Sequence, residues 1–173
     1  ITGIIGIASL LGRTTMEQEQ RLYLDSIRDS GRSLLEIVED LLDYGRLEAD
    51  KITINQERFI LPETVMAVVT LLEPTAERQG CDVQVSIDPG LPEAFYGDVV
   101  RLQQILRNLL GNALKFAPGG EVAIDVTSPE KPKSPRERVL RFSVTDNGKG
   151  ISDEAKAHLF ESFYQEDSSF AKE

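Results

Sequence analysis

The stretch Asn108-Leu109-Leu110-Gly111-Asn112-Ala113-Leu114-Lys115-Phe116 constrains this chain more than any other. It reads as helix, and it must serve two environments at once. Leu102, Ile105, Leu106, Leu109, Leu110 and Ala113 make an apolar face suited to a core. Asn108, Asn112 and Lys115 fall at i, i+4 and i+7, so two amides and an ammonium share the opposite face. That trio suits a metal ion and phosphates. About thirty residues on, an apolar strand runs into Asp146-Asn147-Gly148-Lys149-Gly150-Ile151. Glycines there turn the chain sharply and let the backbone approach a flat ligand. Together the two segments point to a nucleotide site with a Mg²⁺ ion. Each residue also has a plainer reading. An isolated Asn112 would bond locally, Lys115 would be a solvated surface lysine, and Asp146 would merely shape an Asx-turn.

Composition narrows the classes of function. The 173 residues allow one large domain or two small ones. Apolar residues make up 40% and charged residues 28%, ordinary for a soluble globular protein. A net charge of -10 argues against nucleic-acid binding, which needs clustered Lys and Arg. Positive charge at Arg101, Arg107 and Lys115 is local, as a small anionic ligand requires. The single cysteine, Cys81, leaves no disulfide framework or Cys-based zinc site within one chain and fits a reducing compartment. It reads as a half-buried packing residue on a strand. No apolar run approaches the ~20 residues of a membrane span. The opening Ile-rich stretch contains Thr2, Gly3, Gly6 and Ser9 without a basic flank, so it is not a signal peptide.

Periodicity changes partway along the chain. Residues 1 to about 12 read as the tail of a helix ending near Gly12. Thr15 and Gln18 form a capping-box pattern that starts the next helix. That helix carries Tyr23, Ile27, Leu34, Val38 and Leu41 at near-heptad spacing, widened by Leu35, Ile37 and Leu42. Two such helices predict a hairpin. Its stripe packs either on a second copy, giving a four-helix bundle, or on the rest of the same chain. Lys51 to Phe59 alternates as a strand, Pro62 starts a helix running to about Gln79, and Cys81 to Ile87 alternates again. Pro89 to Pro92 is a loop, and Asp98 caps the helix that holds Asn108. Strands follow at Glu121 to Thr127 and Val139 to Thr145, separated by a proline-rich loop. Ser152 caps a short helix with Asp153 and Glu154 in its first turn. The order is two helices and then an α/β sandwich with helices on one face of a mixed sheet.

The two motifs resemble the N box and G1 box of sensor histidine kinases, within the wider family of Bergerat-fold ATPases. The resemblance runs along nearly the whole chain. Thr2 to Leu11 looks like the end of the first dimerisation helix, and Asp40 to Glu48 like the end of the second. Tyr96 to Leu106 is similar to the run leading into the N box. Leu159-Phe160-Glu161-Ser162-Phe163-Tyr164-Gln165-Glu166-Asp167-Ser168-Ser169 looks like the F box. Ala117 departs from the pattern, since many members have Thr or Ser after the Lys-Phe pair.

The resemblance implies an α+β fold: a helical hairpin, forming a dimeric four-helix bundle, followed by a sandwich of the histidine kinase-like ATPase type. It implies dimerisation and histidine-phosphotransfer helices over 1-50 and an ATP-binding domain over 51-173. Asn112 is then the Mg²⁺ ligand, and Asn108 lies a turn earlier beside the phosphates. Lys115 offers them an ammonium. Asp146 accepts from the adenine amino group, Gly148 and Gly150 leave space beside the base, and Ile151 packs on it. Phe160 and Phe163 anchor a lid over ATP. No catalytic residue is assigned within the chain. The phosphoacceptor histidine opens a His-Glu-x-Arg-Thr-Pro motif expected upstream of Ile1, and His158 is expected to have no catalytic duty. The G2 box and last strands are expected beyond Glu173, so the chain reads as part of a longer kinase and is expected to be inactive alone. Expected partners are a second copy and a response-regulator receiver domain, fused or in trans. No nucleic acid and no membrane segment are expected, only a cytoplasmic region of a parent that is itself soluble or membrane-anchored. Two other readings stand beside this one. The first is a non-catalytic dimerisation and nucleotide-sensing module. The second is another Bergerat-fold ATPase, which the two leading helices disfavour.

Overall fold

The structure, a computed structural model, describes residues 1–48, 53–129 and 137–159. The chain divides into two compact units, Ile1–Ile54 and Asn55–Glu173.

The first unit is an antiparallel hairpin of α1 (Thr2–Leu11) and α2 (Gln18–Glu48). Gly12 ends α1, as its sequence position suggested. The start of α2 differs from the Thr15/Gln18 expectation. The glutamine that reaches back is Gln20, whose Oε1 accepts from the Glu17 N–H at 3.0 Å. The hairpin seam is narrow. A Cβ on Gly31 would lie 3.0 Å from Ile5 Cγ1, and one on Gly12 would lie 3.3 Å from Leu24 Cδ2. Ala8 and Leu24 are buried between the helices, with Ile5 and Leu35 half-buried. The seam therefore uses positions 5, 8 and 12 of α1 and 24, 31 and 35 of α2. Large apolar residues one step earlier, Ile4, Ile7 and Leu11 on α1 and Tyr23 and Leu34 on α2, are exposed, as is Ile27, one turn after Tyr23. One residue back turns a helix by about 100°. The helices run in opposite directions, so that rotation has opposite sense on each. Both exposed stripes consequently reach the same side of the hairpin, and Ile37, Val38 and Leu41 extend it.

The second unit contains β1 (Glu57–Ile60), α3 (Leu61–Gln79), β2 (Asp82–Ile87), β3 (Ala94–Gly97), α4 (Val99–Phe116), β4 (Glu121–Thr127), β5 (Arg141–Asp146) and α5 (Asp153–His158). β2, β4 and β5 form a mixed sheet in that order, β2–β4 parallel and β4–β5 antiparallel. β1 and β3 form a separate antiparallel pair, tied by stacked Phe59 and Phe95 rings 6.2 Å apart. Strand β3 is absent from the sequence reading. Its four residues follow a proline-rich loop and are too few for an alternation to declare itself. β1 is also shorter than expected. Residues 53–56 have no regular structure, and positions 51 and 52 lie outside the described residues. Pro62 sits in the first turn of α3, where its missing N–H costs nothing. Gly80 ends that helix in the left-handed region, φ 65°.

The core lies between α3, α4 and the mixed sheet. Leu61, Val65 and Val68 of α3 and Leu106, Leu110 and Leu114 of α4 pack against Val122, Ile124 and Val126 of β4. These β4 residues alternate with Ala123 and Asp125, so one sheet face carries the burial. Cys81 is half-buried, as expected. Its thiol donates to the Ala117 carbonyl at 3.1 Å and so fastens the start of β2 to the end of α4.

Candidate nucleotide site

The site is built on the two ends of α4 and the turn after β5. Asp98 caps α4: its Oδ1 accepts from the Arg101 N–H at 3.0 Å, and its Oδ2 accepts from the Asn55 N–H at 3.0 Å. The Arg101 amide first, and the Asn55 amide second, hold the Asp98 carboxyl below its ordinary pKa. The carboxylate is thus ionised at neutral pH, and it ties the entering chain to the start of the helix.

Further along α4, Leu106, Leu110, Ala113 and Leu114 are buried, while Asn108, Asn112 and Lys115 are exposed. The division between faces differs from the sequence reading at two positions. Ile105 is 57% exposed and Leu109 44% exposed, although the apolar spacing places both on the core face. The reason is angular. A step of one residue rotates about 100°, so 105 and 109 fall outside the stripe centred on 106, 110 and 113. The outward side of α4 is therefore mixed, with Ile105 and Leu109 beside the two amides. The side chains of Asn108 and Asn112 have no hydrogen-bond partner among the described residues, so their amide oxygens remain available. Among the described residues no group of three His, Cys, Asp or Glu side chains could hold a metal ion. A Mg²⁺ ion here would rely on amide oxygen, water and the ligand's own oxygens, a donor set that suits it.

The turn after β5 is fixed by its own side chains. Asp146 Oδ1 accepts from the Gly148 N–H at 2.9 Å, an Asx-turn. Asn147 Oδ1 accepts from the Glu121 N–H at 2.9 Å, and the Asn147 N–H donates to the Glu121 carbonyl at 3.3 Å. Gly148 lies directly against the end of α4. A Cβ there would strike the Phe116 carbonyl oxygen and come within 2.8 Å of its carbon. Absence of a side chain at 148 is therefore what lets the two motifs meet. Gly150 has the other need, a left-handed φ of 72° with open space around it.

The structure thus brings the Asp146 turn onto the end of the helix that carries Asn108, Asn112 and Lys115. Ile151 is exposed beyond that turn. His158 is the last residue of α5, a helix capped by Ser152 Oγ accepting from the Ala155 N–H at 3.1 Å. Phe160 and Phe163 lie outside the described residues. Ala117 is buried, and its carbonyl also accepts from the Gly120 N–H at 3.0 Å. Sequence reasoning missed Phe116 and Lys149. The Lys115 Nζ stands 5.1 Å from the Phe116 ring centroid and the Lys149 Nζ 5.7 Å, both within cation–π range. The available signal was position, since Phe116 follows Lys115 and Lys149 lies between the two glycines.

Residues 97–173 match the family described as histidine kinase-, DNA gyrase B-, and HSP90-like ATPase. Residues 1–50 match the His Kinase A (phospho-acceptor) domain. The signal transduction histidine-protein kinase BarA of Escherichia coli is 34% identical over 172 residues, covering 99% of this chain and 18% of BarA. The sensory/regulatory protein RpfC of Xanthomonas campestris pv. campestris is 36% identical over 167 residues, covering 96% of this chain and 23% of RpfC. A crystal structure of full-length ShkA in complex with AMPPNP is 34% identical, with a TM-score of 0.72 over 94% of this chain and 34% of ShkA. The chain spans less than a quarter of the length of these two curated relatives. No helix among the described residues is long and apolar enough to cross a membrane.

Proposed function

The chain belongs to the sensor histidine kinase family, and we propose from that premise that residues 51–173 bind Mg·ATP while residues 1–50 pair with a second copy. The observation that carries the nucleotide reading is the contact of Gly148 with the Phe116 carbonyl, which sets an aspartate-bearing turn beside a helix of free amides and an ammonium. Asp146 reads the adenine amino group with its carboxylate, whose Oδ1 already receives the Gly148 N–H. Asn112 holds Mg²⁺, Asn108 lies beside the phosphates, and Lys115 adds a positive charge to them. Bound Mg²⁺ would neutralise charge on the phosphate oxygens during transfer. Gly150 and Ile151 border the base, and Phe160 and Phe163 serve the lid.

In the whole protein the γ-phosphoryl group passes from ATP to a histidine. The bond from γ-phosphorus to the bridging oxygen breaks, a nitrogen–phosphorus bond forms, and ADP leaves. The group then moves to a carboxylate of a receiver domain, fused or separate. Residues 1–50 contain no histidine, and His158 is the only one in the 173 residues. We assign His158 no role in the transfer.

Pairing rests on the hairpin. Its exposed stripes, Ile4, Ile7 and Leu11 with Tyr23, Ile27 and Leu34, lie on one side and form a face two helices wide. A second hairpin of the same kind would cover it as a four-helix bundle. The match of residues 1–50 to the phospho-acceptor domain also favours a kinase over another ATPase of the same fold.

Calorimetric titration with the ATP analogue AMPPNP, with and without Mg²⁺, tests the site. Asp146→Asn should weaken binding about tenfold or more in both conditions, because a hydrogen bond to a charged acceptor is lost. Asn112→Ala should remove mainly the Mg²⁺-dependent part. Wild-type affinity in both variants would refute the assignment. Acid-labile radiolabel from ATP that disappears in His158→Ala would refute the reading of His158.

A further inference from the structure

We propose that Phe116 is a positioning residue for the nucleotide site, latching the Asp146 turn to the end of α4 through the Lys149 ammonium. The inference rests on the nucleotide reading above and names a part that neither the motifs nor the family match assigns. Two cations face one ring: Lys115 from the same helix at 5.1 Å and Lys149 from the turn at 5.7 Å. A ring of ordinary aliphatic bulk would gain nothing from ammonium groups. The negative face of an aromatic ring does. Phe116 is 39% exposed, so the contact lies at the surface with the ring partly open to solvent.

A second, independent contact joins the same two segments. Gly148 lies against the Phe116 backbone carbonyl, close enough to exclude a side chain. Phe116 therefore meets the turn twice, through its backbone at Gly148 and through its ring at Lys149. Asn147 fastens the other flank of the turn to the start of β4. Between these anchors lies Asp146, the proposed adenine reader. The ring contact fixes how far the turn stands from Asn112 and Lys115 on the helix, and so the spacing between adenine reader and phosphate ligands. It also concentrates two positive charges near α4's last turn in a chain of net charge -10. Lys149 has a further interaction besides the ring. Only a double-mutant cycle isolates the ring's share, because that other interaction survives a change at Phe116.

The test uses the 173-residue chain and two readouts. Without nucleotide, NMR of the lysine side chains should show methylene protons of Lys149 and Lys115 shifted by the Phe116 ring current. Phe116→Leu should abolish the shift, and Phe116→Tyr should keep it. With AMPPNP and Mg²⁺, Phe116→Leu and Lys149→Met should each weaken affinity about two- to fivefold, the range expected of a partly exposed cation–π contact. The double variant should lose less than the two single losses combined, because the ring contact they share is lost only once. Lys149→Arg and Phe116→Tyr should restore affinity. Additive losses, or full affinity in Phe116→Leu, would overturn the latch. Absence of AMPPNP binding by the unaltered chain would refute the nucleotide reading instead, and the ring-current shift would then still decide whether the contact forms.

Discussion

The hairpin and the sandwich spend their apolar residues in opposite ways. In the sandwich, Leu61, Leu106, Leu110, Leu114, Val122 and Ile124 are almost wholly buried within one chain. In the hairpin only Ala8 and Leu24 reach that state among the described side chains, while Ile7, Leu22 and Tyr23 are more than 60% exposed. Two antiparallel helices share one narrow seam and cannot cover their remaining apolar surface. A sheet backed by two helices closes a core by itself. The difference teaches where burial closes: within the chain for the sandwich, and not within the single hairpin, whose apolar face stays exposed.

The sharpest way to break that contrast is by truncation on each side. Leu110→Ala should cost about 2–5 kcal/mol in denaturant unfolding, since it empties a closed core. Leu34→Ala, measured where light scattering finds only single chains, should stay within about 0.5 kcal/mol. A large Leu34 effect in the single chain would mean the hairpin has a core of its own.

Next comes the apolar face itself. Light scattering at high concentration should give twice the single-chain mass. Placing Glu at both Ile27 and Leu34 should return it to the single-chain mass, because the paired carboxylates would be buried without partners. A wild-type chain that never exceeds single mass would end the pairing proposal.

A smaller change tests the junction inside the sandwich. Gly148→Ala pushes a methyl group into the Phe116 carbonyl and should cost about 1–3 kcal/mol. It should also lower AMPPNP affinity, whereas Gly111→Ala, where a Cβ meets nothing within 4 Å, should not destabilise the fold. Equal behaviour of the two variants would remove the close approach from the account.

The mildest expected effect is a pH dependence. Two backbone amides lower the Asp98 pKa in the fold. Its contribution to stability is therefore present above the unfolded carboxylate value and is lost as pH falls through the folded one. The melting temperature of the wild type should drop below about pH 4 more steeply than that of Asp98→Asn. Parallel profiles would show that the cap is not the group that titrates.

Much of this was legible from residue order. The cap at Asp98, Pro62 in the first turn of α3, Gly12 ending α1 and Ser152 starting α5 are local devices, and local devices act through near neighbours in sequence. The stripe of Asn108, Asn112 and Lys115 was readable for the same reason, since helical periodicity alone puts them on one side. The family resemblance was equally readable, as ordered motifs along one chain.

What only the tertiary structure decided depends on where packed elements meet. Ile105 and Leu109 pass the same periodic test as Leu106 and Leu110, yet the placement of α4 against β4 leaves the first pair outside. β3 exists because β1 offers it a partner, which four residues cannot announce. The seam between α1 and α2 runs through Leu24 and Gly31, one step aside from the heptad-like stripe that the sequence displays. The meeting of Phe116 with Gly148 and Lys149 spans more than thirty positions. Sequence fixes which faces are apolar and which turns are possible. Packing chooses among faces that periodicity leaves equivalent, because burial energy depends on the area an opposing element actually covers.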